Sequence, residues 1–177
     1  MIRYAITDPQ TLHFDTIQED LKRFAQKASM IVYRDKETPH YARDAKLFLS
    51  HAKGFEKVLL HQDYLLAAHL GADGVHLMST QRDDIAKAKA LNLFVIISTH
   101  TLEEVIWAET LGADMVTFSP VYDTPNKGKA VGIAALKEVV DAVDIPVIAL
   151  GGIVSATQIE ACQEAGASGF ASIRYFG

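Results

Sequence analysis

A single cysteine, Cys162, in 177 residues excludes an internal disulfide and a cysteine-rich zinc site. Basic residues are outnumbered by acidic ones, 17 to 22, giving a formal net charge of −5. The chain therefore lacks the positive field on which nucleic-acid affinity rests, and no nucleic-acid partner is expected. No apolar run approaches the ~20 residues that a bilayer crossing needs; Leu93–Ile97 and Ile145–Leu150 both break off early. No membrane partner is expected either. Nothing behind Met1 has the basic, then apolar, then small-residue order of an export signal, so the cytoplasm is the expected location. Linkers and low-complexity stretches are also missing, which leaves one domain over residues 1–177. Against these absences, 49% hydrophobic and 22% charged residues are the proportions of a chain that buries a core.

One local pattern occurs three times. Leu70-Gly71-Ala72-Asp73-Gly74-Val75-His76-Leu77, Leu111-Gly112-Ala113-Asp114-Met115-Val116-Thr117-Phe118 and Ala165-Gly166-Ala167-Ser168-Gly169-Phe170-Ala171-Ser172 each end an amphipathic run at a glycine suited to a left-handed cap. Two small or polar residues then lead into a short apolar run, as in a helix-to-strand joint. Further strands are expected at Ile2–Thr7, Met30–Tyr33, Lys57–Leu60, Leu93–Ser98 and Pro146–Leu150, several as continuous in Val, Ile and Leu as strands buried on both faces. Helix starts are signalled by Thr38-Pro39, Thr101-x-x-Glu104 and Ser155-x-x-Gln158. Eight strand–helix units of about 22 residues predict an α/β chain folded as a single, short (β/α)8 TIM barrel rather than an open sheet. Because Gly177 follows the eighth strand so closely, the eighth helix is expected to be truncated or absent. A wall left uncovered in that way predicts a homodimer.

In such a barrel the residues just after each strand converge on one mouth. They include Arg34 and Lys36, His61 and Asp63, His76, Ser98 and His100, Thr124 with Asn126 and Lys127, Gly151-Gly152, and Ser172-Ile173. Three cations on an acidic chain point to an anionic ligand, although Asp35 and Glu37 offer them ordinary surface partners. Gly151-Gly152 lets backbone N–H groups approach a phosphate at a helix start, and Ser172-Ile173 completes the cradle. Phosphate sites after strands 7 and 8 recur in barrels. The histidines have no i, i+4 pairing, which argues against zinc. Ser98 and His100 lack an acid to orient the imidazole, which argues against a nucleophile pair.

The chain resembles the thiamine phosphate synthase and TenI superfamily nearly throughout. The resemblance rests on Tyr4-Ala5-Ile6-Thr7-Asp8, Arg34-x-Lys36, Gly71–Leu77, Ser98-Thr99-His100, Ser119-Pro120-Val121-Tyr122-x-Thr124-Pro125-Asn126-Lys127 and Ala149-Leu150-Gly151-Gly152-Ile153. It implies a thiamine-biosynthesis enzyme that couples hydroxymethylpyrimidine pyrophosphate to a thiazole phosphate with loss of pyrophosphate. On that basis Arg34, Lys36 and Lys127 hold pyrophosphate, helped by Thr124 and Ser98, and Gly151, Gly152, Ser172 and Ile173 take the thiazole phosphate. His61, His76, His100 and Asn126 join them as substrate-binding candidates. Asp63 is the candidate ligand for Mg2+. Some positions depart from the family pattern: Val32 replaces a glutamine, His61-Gln62-Asp63 replaces an Asn-Asp pair, and Gln81 stands where a second metal aspartate is expected, with Asp83 and Asp84 following closely. Pro120 replaces the histidine of the related thiazole tautomerases. The alternatives are a TenI-like thiazole phosphate tautomerase and a noncatalytic barrel that binds a phosphate ligand.

Overall fold

The computed structural model describes all 177 residues. Eight parallel strands close on themselves in chain order: β1 (Ile2–Ile6), β2 (Met30–Tyr33), β3 (Lys57–His61), β4 (Gly74–Leu77), β5 (Phe94–Thr99), β6 (Met115–Phe118), β7 (Val147–Leu150) and β8 (Gly169–Ser172). Seven helices alternate with them: α1 (Ile17–Ala25), α2 (Tyr41–His51), α3 (Tyr64–Leu70), α4 (Ile85–Ala90), α5 (Leu102–Thr110), α6 (Gly132–Ala142) and α7 (Ala156–Glu164). Short 3-10 turns at Phe14–Thr16 and Ser79–Asp84 lead into α1 and α4. No helix is long and apolar enough to cross a membrane.

Alternation along each strand separates two cores. Tyr4, Ile6, Met30, Val32, Leu59, Ile96, Met115, Ile148 and Ala171 fill the barrel. Their strand neighbours, such as Ala5, Ile31, Leu60, Val95, Val116 and Phe170, pack outward against the helices. Register then fixes what faces the mouth. His61 pairs with His76, and Ser98 with Thr117, and all four share inward parity with the barrel core.

The joint glycines behave as the sequence predicts. Gly71, Gly112 and Gly166 have φ of 76°, 95° and 95°, and the residue after each donates to a carbonyl five positions back: Ala72 to Ala67, Ala113 to Ala108, Ala167 to Cys162. A fourth copy ends α4, where Asn92 takes the left-handed conformation (φ 61°) and Leu93 donates to Ala88. Asn is the residue that tolerates this conformation best after glycine. Asp73 and Asp114 accept from the backbone N–H of Val58 and Val95, each at 2.8 Å, and so tie the joint to the start of the neighbouring strand.

One helix start moves, and the truncated eighth helix expected from the sequence is found with a consequence for the wall it leaves. Helix α2 starts at Tyr41 rather than at Pro39, because Thr38 donates to Asp44 at 2.7 Å and accepts from His40, bracing a turn ahead of the helix. The eighth helix is reduced to one turn, Ile173 to Gly177, closed by Gly177 N–H to Ile173 O. That turn nevertheless covers the wall. Phe176 is fully buried and stacks on Phe170 with ring centroids 5.5 Å apart. The chain supplies its own cover there, so the ground for expecting a covering subunit falls away.

Candidate functional site

Arg34 and Lys36 leave β2 toward the mouth. Thr7 at the end of β1 accepts from the Arg34 backbone N–H at 3.3 Å and donates to Val32 O at 2.9 Å, fixing where the arginine departs. Asp35 does not pair with either cation; its carboxylate accepts from the N–H groups of Glu37 and Thr38, shaping the loop. Arg34, Lys36 and Lys127 form no ion pair or side-chain hydrogen bond anywhere in the chain. The Arg34 guanidinium, partial burial and the Lys127 ammonium together push Lys36 below the ordinary lysine range. Like charges brought together without a carboxylate are costly to a fold and useful to an anion.

Below these cations lie two neutral histidines. Burial, with Arg34 and Lys36 adding to it, pushes His61 down to about 4. Burial, His61 and Arg34 push His76 down to about 3. Their rings meet edge to face at 6.1 Å. His76 bridges Tyr4 Oη at 2.8 Å and Ser98 Oγ at 2.9 Å. His100 is exposed; its Nδ1 lies 3.0 Å from Ser119 O and 3.3 Å from Ser119 Oγ, which turns the ring toward the end of β6.

The loop after β6 is clamped to the loop after β7. Val121 donates to Leu150 O and Tyr122 to Gly151 O. Gly151 (φ 106°) and Gly152 (φ 66°) are needed for that clamp: a Cβ on the first would lie 2.6 Å from Pro120 Cα, and on the second 2.6 Å from Asp123 O. The missing side chains therefore make room for the β6 loop, a use beyond the one read in the sequence. The N–H groups of Gly151, Gly152, Ile153, Ile173 and Arg174 nevertheless donate to nothing in the chain. Only Ile153 of the five is buried; the others open on the mouth, where successive free N–H groups in two adjacent loops can serve an anion as well as water. The first turn of α7 is not that place, because Gln158 and Ser155 cap it. Ser172 braces the cradle rather than facing a ligand, donating to Ile153 O at 2.9 Å and accepting from Tyr175 N–H at 3.0 Å. Thr124 donates to Tyr122 O, and Asn126, with φ 64°, shapes the turn that presents Lys127.

The donor set does not fit the magnesium site that the resemblance implies. Asp63 caps α3 by accepting from Leu66 N–H at 2.9 Å. Gln81 points amide hydrogens at Gln62 O and Asp84 Oδ2 while its carbonyl accepts from Met78 N–H. A hard cation needs oxygen donors converging on one point; here an amide stitches the β3 and β4 loops together instead.

A family model described as thiamine monophosphate synthase matches residues 3–176. The chain belongs to that family. A protein of Aquifex aeolicus named "Putative thiamine-phosphate synthase 2" is 33% identical over 182 aligned residues, covering 98% of this chain and 96% of its own. The thiamine-phosphate synthase of Methanosarcina barkeri is 30% identical, covering 85% of this chain and 71% of its own. The solved thiamine phosphate pyrophosphorylase of Pyrococcus furiosus superposes with a TM-score of 0.81 at 26% identity, over 97% of this chain and 85% of that one. Within this synthase-family barrel, sequence reasoning missed Tyr4 as a polar group, Thr117, whose buried hydroxyl has no partner, and the Gln81 stitch. Period-2 parity places Tyr4 and Thr117 inside the barrel, but parity says nothing about hydroxyl partners.

Proposed function

We propose that the protein makes thiamine phosphate from hydroxymethylpyrimidine pyrophosphate and thiazole phosphate. The observation that carries this is that three cations without carboxylate partners follow β2 and β6 while free backbone N–H groups follow β7 and β8 at the same end of the barrel, an arrangement that suits two anions. Arg34, Lys36 and Lys127 hold the pyrophosphate and stabilise the charge it gains as the C–O bond to the pyrimidine methylene breaks. The electron pair leaves with pyrophosphate. The thiazole, fixed by its phosphate on Gly151, Gly152, Ile153 and Ile173, brings its ring nitrogen to the methylene carbon, and the new C–N bond forms. Within the chain, neutralisation of the leaving group falls to these three side chains, since no group of three or more His, Cys, Asp or Glu converges to hold a metal ion. Incubating the purified protein with both substrates is expected to yield thiamine phosphate by mass together with one pyrophosphate per turnover. Absence of both products would overturn the proposal.

A tautomerase reading draws on His100. Its imidazole is exposed beside the β6 end, one strand from Pro120, which cannot transfer protons. Solvent-proton exchange into thiazole precursor, abolished in His100→Gln, is the result that would favour it.

A further inference from the structure

One line of polar atoms crosses the apolar interior of the barrel. Tyr4, His76 and Ser98 come from β1, β4 and β5, with Tyr4 fully buried and His76 4% exposed. The Tyr4 and His76 rings stack at 5.7 Å with an interplanar angle of 26°. The direction of the hydrogen bonds follows by elimination. Around Tyr4 lie Ile6, Met30, Val32 and Leu59, and its hydroxyl has one partner, His76 Nδ1. If Nδ1 carried the proton, Tyr4 Oη would accept it and leave its own O–H unpaired in hydrocarbon, the costly outcome for a buried donor. Tyr4 therefore donates and Nδ1 accepts. The neutral ring keeps its proton on Nε2, which donates to Ser98 Oγ. Burial and the nearby Arg34 guanidinium keep the ring neutral.

We propose that Tyr4 is a positioning residue: by holding His76 in the Nε2–H form it makes Ser98 a committed hydrogen-bond donor to an acceptor atom of the substrate seated in the mouth. This polarity is the reverse of a Ser–His nucleophile pair, because a protonated Nε2 cannot take the serine's proton. The substrate named in this statement rests on the synthase reading; the proton placement does not.

Nitrogen NMR of the ligand-free protein tests the placement without any turnover. His76 is expected to show an unprotonated Nδ1 and a protonated Nε2; the opposite assignment in the native protein would overturn the proposal. Tyr4→Phe removes the donor that fixes Nδ1 as an acceptor, and is expected to leave the tautomer mixed rather than purely Nε2–H and to lower kcat about ten- to hundredfold, the loss expected for one misdirected hydrogen bond. KM for thiazole phosphate, held across the mouth, is expected to stay unchanged. A Tyr4→Phe protein that keeps both Nε2–H and full kcat would contradict the proposal. Ser98→Ala is expected to lose activity while His76 keeps its tautomer, which separates the donor from the residue that directs it. If no thiamine phosphate forms at all, the synthase reading fails while the tautomer assignment still stands or falls on its own spectrum.

Discussion

Arg34 has no carboxylate partner, and its guanidinium acts on Lys36, His61 and His76 together. Arg34→Gln is expected to lower kcat/KM for thiamine phosphate formation about 10²- to 10³-fold, the scale of losing one preorganised charge stabiliser. Stability should rise slightly, by no more than about 0.5 kcal/mol, because no ion pair is broken and one member of a like-charge group is removed. In the same variant the His61 midpoint, read by NMR titration, should rise from about 4 but stay below the ordinary value, since burial is its larger cause. The two buried histidines also set an acid limit. Both have folded pKa values below 6.5, so the unfolded chain binds protons first as pH falls, and the stability is intact above about 6.5 and lost toward 4 and then 3. The unfolding free energy from urea titrations should decline across that window at up to about 1.4 kcal/mol per pH unit for each histidine. His76→Asn should flatten the slope, and an unchanged slope would contradict the assignment. The cations were legible in the sequence because charge after a buried strand has nowhere to go but the mouth. The Tyr4 hydroxyl was not, because its partner lies 72 residues away and no local pattern encodes it.

At the scale of elements, the glycine joints and the Ser155–Gln158 capping box could be read directly, because each is decided within six residues by backbone sterics and local hydrogen bonds. The fourth joint escaped notice because Asn92 satisfies the same conformation with a different side chain. The use of Gly151 and Gly152 also escaped, since the atoms that exclude a Cβ belong to a loop some thirty residues earlier, Pro120 to Asp123. Gly151→Ala tests this. With φ at 106° and a backbone atom 2.6 Å from the added carbon, the variant should lose about 1–3 kcal/mol. Thiazole phosphate affinity should fall as well, because the β6 loop and the cradle are displaced together. A stable variant with native affinity would show that the clamp does not hold the cradle.

For the molecule as a whole, barrel closure was predictable from the count and alternation of strands, whereas its seal was not. Phe176 reads as a terminal aromatic in the sequence, yet it is fully buried against Phe170 where an eighth helix would lie. Phe176→Ala should destabilise the fold by about 3–5 kcal/mol in equilibrium unfolding; a change below 1 kcal/mol would show that the wall does not depend on it. The closed barrel matters to function because it brings a cation group from β2 and β6 and a donor cradle from β7 and β8 to one opening. Calorimetric titration of thiazole phosphate into protein already saturated with pyrophosphate tests that arrangement most directly. One equivalent binding with undiminished affinity, and pyrophosphate retained, is the predicted result. Displacement of pyrophosphate by thiazole phosphate would mean that the mouth holds a single anion, and would contradict the account.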